Sequence, residues 1–242
     1  VLEAAFWGFV GGFALIVGAV LGLAFRVSSR VVGAVMAFGA GVLISAVAFD
    51  LVEEAYERSH GTGVVLTGFA AGAVTFFVGD AILNRHGAGD RKRSGGQQAG
   101  AAAMALVLGA MLDGIPESAA IGVSLLGGGG VGVAVVVAVF LSNIPESMSA
   151  AVGLRKAGRS ASWILGLWFG VAVLSAVAAA LGYQLLGGSS GWTVALVQAF
   201  AAGAILTMLA DTMMPEAFED TGLLTGLITG AGFGIAFWLS HL

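Results

Sequence analysis

The sequence predicts an all-α integral membrane protein, and three observations carry that prediction. The first is composition: of 242 residues, 58% are hydrophobic and only 10% charged, where a soluble domain carries about 25% charged residues. Mean hydropathy is +1.00. The second is that the apolar residues fall into stretches of the roughly 20 residues that a helix needs to cross the hydrocarbon core. The third is the abundance of small residues, with 40 glycines, as expected where helices pack closely in lipid. Three prolines and no alternating pattern argue against a β-barrel. The absence of cysteine excludes disulfides and thiolate metal sites. A pI near 5.2 without a basic domain gives nucleic acid no electrostatic footing, so the expected partner is the lipid bilayer.

Eight spans are expected, at roughly 4–25, 31–52, 62–83, 101–124, 131–153, 161–186, 192–214 and 222–240. The first lacks a basic leading segment and is too long for a signal-peptide core. Arg26 and Arg30 separate spans 1 and 2. Spans 2 and 3 are joined through Glu53, Glu54, Glu57 and Arg58, and spans 3 and 4 through a hydrophilic loop, 84–100, with Arg85, Arg91, Lys92 and Arg93. That loop reads as a mobile, positively charged linker, since it holds only His86 and no histidine-rich sensor. The glycine run 127–130 joins spans 4 and 5 as a tight turn. Arg155, Lys156 and Arg159 lie between spans 5 and 6. All ten basic residues except Arg58 thus fall on one face, which the positive-inside rule makes cytoplasmic. The expectation is a multi-pass protein of the plasma (inner) membrane, with both termini outside, loop 84–100 inside and one transmembrane domain over 1–242.

Spans 2 and 7 resemble each other. "FGAGVLISAVAFDLVEEAYE" from Phe38 aligns with "FAAGAILTMLADTMMPEAFE" from Phe200 at an offset of 162, pairing Gly41 with Gly203 and Glu54 with Glu216. Spans 1 and 6 match more weakly. Five spans separate each pair, so the matched helices run in opposite directions, as in the inverted repeats of transporters. The expected arrangement is 3+2+3: spans 1–3 and 6–8 repeat around a central pair, spans 4 and 5. Alternating access would move the repeat helices, or part of that set, against the central pair.

The central pair carries the chemistry. Ile115-Pro116-Glu117-Ser118 returns as Ile144-Pro145-Glu146-Ser147. Each proline removes a helical hydrogen bond, freeing the carbonyls of Leu112 and Leu141, and irregular backbone survives in lipid only where protein or a wet cavity surrounds it. Asp113 and Glu117 are four residues apart and share a helix face; Ser142 and Glu146 repeat that spacing. Facing the helices together brings Asp113, Glu117 and Glu146 into one place, with Ser142 and Asn143 nearby. Three converging carboxyls need a cation or bound protons between them, so the expected site takes a cation on oxygen ligands. Asp50 and Glu54 at the outer end of span 2, and Asp211 and Glu216 near the inner end of span 7, are expected to line the path to it.

With these motifs the chain resembles the ZIP (Zrt/Irt-like) family of divalent metal transporters over essentially its whole length. "ALGY" closing span 6 and Met213-Met214-Pro215-Glu216 closing span 7 belong to the resemblance. It implies inward movement of a divalent metal such as zinc, manganese or iron(II) as substrate, with no organic cofactor and no enzymatic activity. By position it carries the family's motif glutamates onto Glu117 and Glu146, its second-site polar residue onto Asn143 and its span-7 glutamate onto Glu216. The chain departs from the family pattern where Asp113 replaces a histidine, Gly114 an asparagine, Ser175 a glutamate and Asp211-Thr212 a His-Glu pair. Loss of imidazole shifts the expected selectivity toward harder ions, Mn(II) or Fe(II), with zinc still able to pass. A homodimer is compatible with this reading. The alternatives are a member of the same family that binds metal as a sensor or scaffold without transport, and one that moves the ion outward. An intramembrane hydrolase would need facing aspartates, and Asp113 faces glutamate.

Overall fold

In the computed structural model, residues 1–25, 27–87, 89–92, 103–127 and 132–240 are described. Arg26, Arg93, most of the expected 84–100 loop and the glycine run beyond Gly127 lie outside them. Every element among the described residues is helical. Seven helices are long and apolar enough to cross a membrane: α1 (Leu2–Ala24), α2 (Ser29–Ser59), α3 (Thr62–Arg85), α4 (Ala103–Ser124), α5 (Val133–Lys156), α6 (Ala161–Leu186) and α7 (Gly191–Thr221). The last expected span forms α8 (Leu224–Ser240), an apolar helix of only 17 residues.

Local chemistry sets the ends. The Ser160 and Ser190 hydroxyls accept the backbone N–H groups of Trp163 and Thr193 at 3.2 Å, satisfying donors that the first turns of α6 and α7 leave open. Gly222, at φ +57°, turns the chain between α7 and α8 in a conformation that glycine adopts without strain. The long helices α2 and α7 each contain a π-helical segment, Ala46–Glu53 and Leu209–Met213. These wider turns let α2 and α7 run to 31 residues each, past the ends expected at 52 and 214.

The helices sort into two groups. Leu15 and Ala19 of α1, Leu106 and Ala110 of α4, Leu154 of α5, and Ile164 and Trp168 of α6 share one buried core. In the other group α3 runs along α7, and α8 runs along α2. The groups meet mainly where α5 lies on α2 and α4 on α7. The expected central pair does not stand apart: α5 packs chiefly against α1 and α4 against α6, and the two approach each other only sparsely. The kinked helices need small-residue partners on their flanks, and α1 and α6 supply them.

The resemblance between spans 2 and 7 reappears in packing. A Cβ on Gly232 of α8 would strike the backbone of Phe38 on α2, and one on Gly72 of α3 would strike the backbone of Phe200 on α7. Likewise Gly41 of α2 abuts Thr229 of α8, and Gly203 of α7 abuts Phe69 of α3. The sequence partners Phe38/Phe200 and Gly41/Gly203 therefore sit at equivalent backbone-to-backbone crossings, where only glycine permits the approach.

Gly72→Ala is expected to destabilise the protein by about 1–3 kcal/mol through overpacking, seen as a lower Tm in detergent. Gly230→Ala, where an added Cβ meets nothing within 4 Å, should leave Tm unchanged or slightly raised.

Candidate cation site

The proline motifs fold alike in both helices. Pro116 and Pro145 lie inside α4 and α5, and each motif serine donates back along its own helix. Ser118 Oγ donates to Gly114 O at 2.6 Å and Ser147 Oγ to Asn143 O at 2.7 Å. Such back-bonds satisfy the hydroxyl and favour a bend, which accounts for serine recurring after each Pro-Glu.

Asp113, Glu117, Ser142, Asn143 and Glu146 are all buried. Ser142 Oγ donates to Val139 O at 3.0 Å, and Asn143 Nδ2 donates to Gly11 O on α1 at 3.1 Å. Neither polar side chain is spent on the other helix. Among the described residues, no three or more His, Asp or Glu side chains are gathered as a metal-ligating group. The chain's own cations hold the carboxylates of Asp80, Asp113 and Glu146. Arg91 donates from Nε to Asp113 Oδ2 and from Nη2 to Asp113 Oδ1, both at 2.8 Å, a two-pronged pairing that is among the stronger charge-assisted contacts. Its Nη1 lies 2.8 Å from Asp80 Oδ1 on α3. Lys92 Nζ stands between the proline helices, 3.4 Å from Asp113 Oδ2 and 3.1 Å from Glu146 Oε2.

Residues 89–92 are thus folded inward, with Arg91 5% and Lys92 4% exposed, which corrects the expectation of a free linker for this part of the 84–100 loop. Burial opposes the charge on both side chains, but Asp113, with Asp80 for Arg91 and Glu146 for Lys92, outweighs it. Both cations are held above their ordinary pKa values. Glu117 Oε1, like Asp80 Oδ1 and Lys92 Nζ, is buried with no hydrogen-bond partner, but among the described residues Glu117 has no ion pair to offset this. Around the ion pairs only a cavity of about 10 Å³ remains, edged by Leu106, Leu154 and Trp168. That is about the space of one water.

The expected path residues make contacts of their own. Glu54 pairs with Arg58 and accepts a hydrogen bond from Gln198 Nε2 at 2.6 Å, while the same amide group donates to Asp50 O at 3.1 Å. Glu216 is buried and accepts from Ser149 Oγ of α5. Asp211 lies within electrostatic reach of Asp80. Ser175 is buried on α6 beside Gly12 of α1 and Gly114 of α4.

Sequence reasoning missed Arg91 and Lys92 as members of the site and did not place Asp80 in it. A signal existed: several acids inside spans require nearby positive charge, and residues 91–93 are the basic cluster next to α4 in the chain. No protein-family model matches the chain, and no curated protein matches it.

Asp113→Asn leaves Arg91 with half its buried pairing and Lys92 with one carboxylate. It is expected to cost about 3–5 kcal/mol, read as a large drop in Tm in detergent. Asp80→Asn, which spares the two-pronged contact, should cost less.

Proposed function

We propose that this protein is a divalent metal-ion transporter of ZIP-like architecture, moving its substrate into the cytoplasm by alternating access. The observation that carries the reading is a charge count inside the membrane. Among the described residues, Asp80, Asp113, Glu117 and Glu146 are buried, with Arg91 and Lys92 as the cations beside them. Among the described residues these carboxyls outnumber the cations, so the centre attracts positive charge, whether the chain's own cations, a divalent ion in their place or protons, because uncompensated charge in a low-dielectric interior is costly. The unpartnered Glu117 Oε1 is a donor atom with no structural task.

On this reading the substrate binds Asp113, Glu117 and Glu146 through oxygen, with Ser142 and Asn143 as auxiliary ligands. Mn(II) and Fe(II) suit that donor set better than Zn(II). Asp50 and Glu54 would serve the outer side of the route, and Asp211 and Glu216 the inner side. The proposed topology has eight spans in an inverted 3+2+3 repeat, with both termini outside. It draws support from the matched glycine crossings and from the π-helical segments in α2 and α7, since such segments are frequent at functional sites. α8 is short for a span, but neighbouring helices and interfacial residues accommodate mismatch. The two groups seen in packing, α1/α4/α5/α6 and α2/α3/α7/α8, are natural units for the movement, in place of a central pair moving alone.

A second reading, a metal sensor or scaffold that does not transport, is favoured by one observation: Arg91 and Lys92 stand where the substrate would bind.

Uptake of Mn(II), Fe(II) and Zn(II) into proteoliposomes separates the two. Transport should fall to the level of empty liposomes in the Glu117→Ala, Glu146→Ala double variant, with Mn(II) or Fe(II) ahead of Zn(II) in the natural chain. Metal binding by folded natural protein without any uptake would establish the sensor or scaffold instead. Uptake unchanged by the double variant would place the path between other helices.

A further inference from the structure

A connecting segment ordinarily lies at the surface, and lysine and arginine are almost never buried unless paired. Here two consecutive cationic residues of the α3–α4 connection enter the helix bundle and are 5% and 4% exposed. Each bridges two elements. Arg91 joins Asp80 of α3 to Asp113 of α4, and Lys92 joins Asp113 to Glu146 of α5.

We propose that Arg91 and Lys92 are a tethered substitute for the metal, so that docking of residues 89–92 and binding of a divalent cation at Asp113, Glu117 and Glu146 exclude each other. The proposal rests on the reading of that site as a metal site.

Three observations support it. Lys92 Nζ lies 3.1 and 3.4 Å from carboxylate oxygens on the two proline helices, the place a bridging ion would take. The Arg91 fork uses both oxygens of Asp113, so a metal approaching that carboxylate competes with a two-pronged ion pair and with the guanidinium's positive charge. The pair also carries two positive charges, the charge of one divalent ion. A single monovalent ion would replace only half of it, which disfavours sodium or potassium as the displacing ion.

Displacement has a mechanical consequence. Arg91 ties α3, in one helix group, to α4, in the other. Metal that evicts Arg91 from Asp113 removes that tie, so ion occupancy and the freedom of the two groups become linked. Linkage is reciprocal: if the docked segment weakens metal binding, bound metal expels the segment to the same degree.

Two measurements on the full chain in nanodiscs test this, with Mn(II) and Zn(II) as probes. The Arg91→Gln, Lys92→Gln double variant should bind Mn(II) about tenfold more tightly than the natural chain, a coupling of ordinary size. In the natural chain, trypsin cleavage after Arg91 and Lys92, identified by mass spectrometry, should accelerate with Mn(II) and slow with chelator. The acceleration should vanish in Glu117→Gln, Glu146→Gln. If the glutamine double variant at 91 and 92 misfolds, the cleavage experiment decides alone. Metal binding that neither exposes the segment nor tightens in that variant would overturn the proposal, making Arg91 and Lys92 fixed neutralising groups while the metal site stands. Absence of metal binding by both the natural chain and the variant would instead bring down the metal site itself, and the proposal with it.

Discussion

Ionised carboxyls in a medium that cannot solvate them must be met by positive charge, and the buried centre of this structure is arranged around that requirement. Asp80, Asp113, Glu117 and Glu146 lie on three helices that are otherwise apolar. Removing such groups from water costs several kcal/mol each unless partners of opposite charge are close and well oriented. The connection after α3 responds by turning Arg91 and Lys92 inward. This placement runs against the usual behaviour of a hydrophilic loop, and it follows once the acids are taken as given. The fork of Arg91, fixed and always charged, suits the role that needs two oxygens held at once; the point charge of Lys92 suits the position between two helices.

The frame that holds these charges is built from close backbone contact. Glycines at the α2–α8 and α3–α7 crossings bring helices together without side chains between them, and in lipid such packing replaces the hydrophobic drive available in water. Because the same crossing occurs twice, the molecule has two similar walls, with the proline helices α4 and α5 seated against α6 and α1. Each of those helices carries an internal proline and a serine back-bond, features that favour a bend, and the two approach each other only sparsely. The gap between them is filled by Asp113, Lys92 and Glu146. Packing thus creates the space, and electrostatics determines what occupies it.

Much of this was legible in the sequence. Composition and run length place the helices, because each span must be apolar throughout to enter lipid. The paired Ile-Pro-Glu-Ser motifs, Asp113 and Asn143 are visible because a proline or a charge is conspicuous in an oily stretch, and the motif glutamates and serines, Asp113 and Asn143 are buried, while Ile115 is exposed. The offset linking Phe38 with Phe200 anticipated a packing equivalence that the glycine contacts display. The lengths of α2 and α7 were less legible, since a π-helical turn leaves no mark in hydropathy and continues a helix through the acids at its end. The fate of residues 89–92 was illegible to a local reading: a polar segment rich in glycine and charge looks solvated until its partners are known.

The sequence by itself determined the membrane class, the helical elements, the two proline helices and the acids they carry, because each of these follows from the cost of placing one residue or one stretch in lipid. Tertiary structure decided which helices share a core and that α4 and α5 belong with α1 and α6. It also decided that the carboxylates of Asp113 and Glu146 meet Arg91 and Lys92 rather than form an open set of oxygens. Those outcomes depend on distances between residues far apart in the chain or on different helices. Electrostatic energy inside a low-dielectric interior varies steeply with distance, and pattern along a sequence does not contain it.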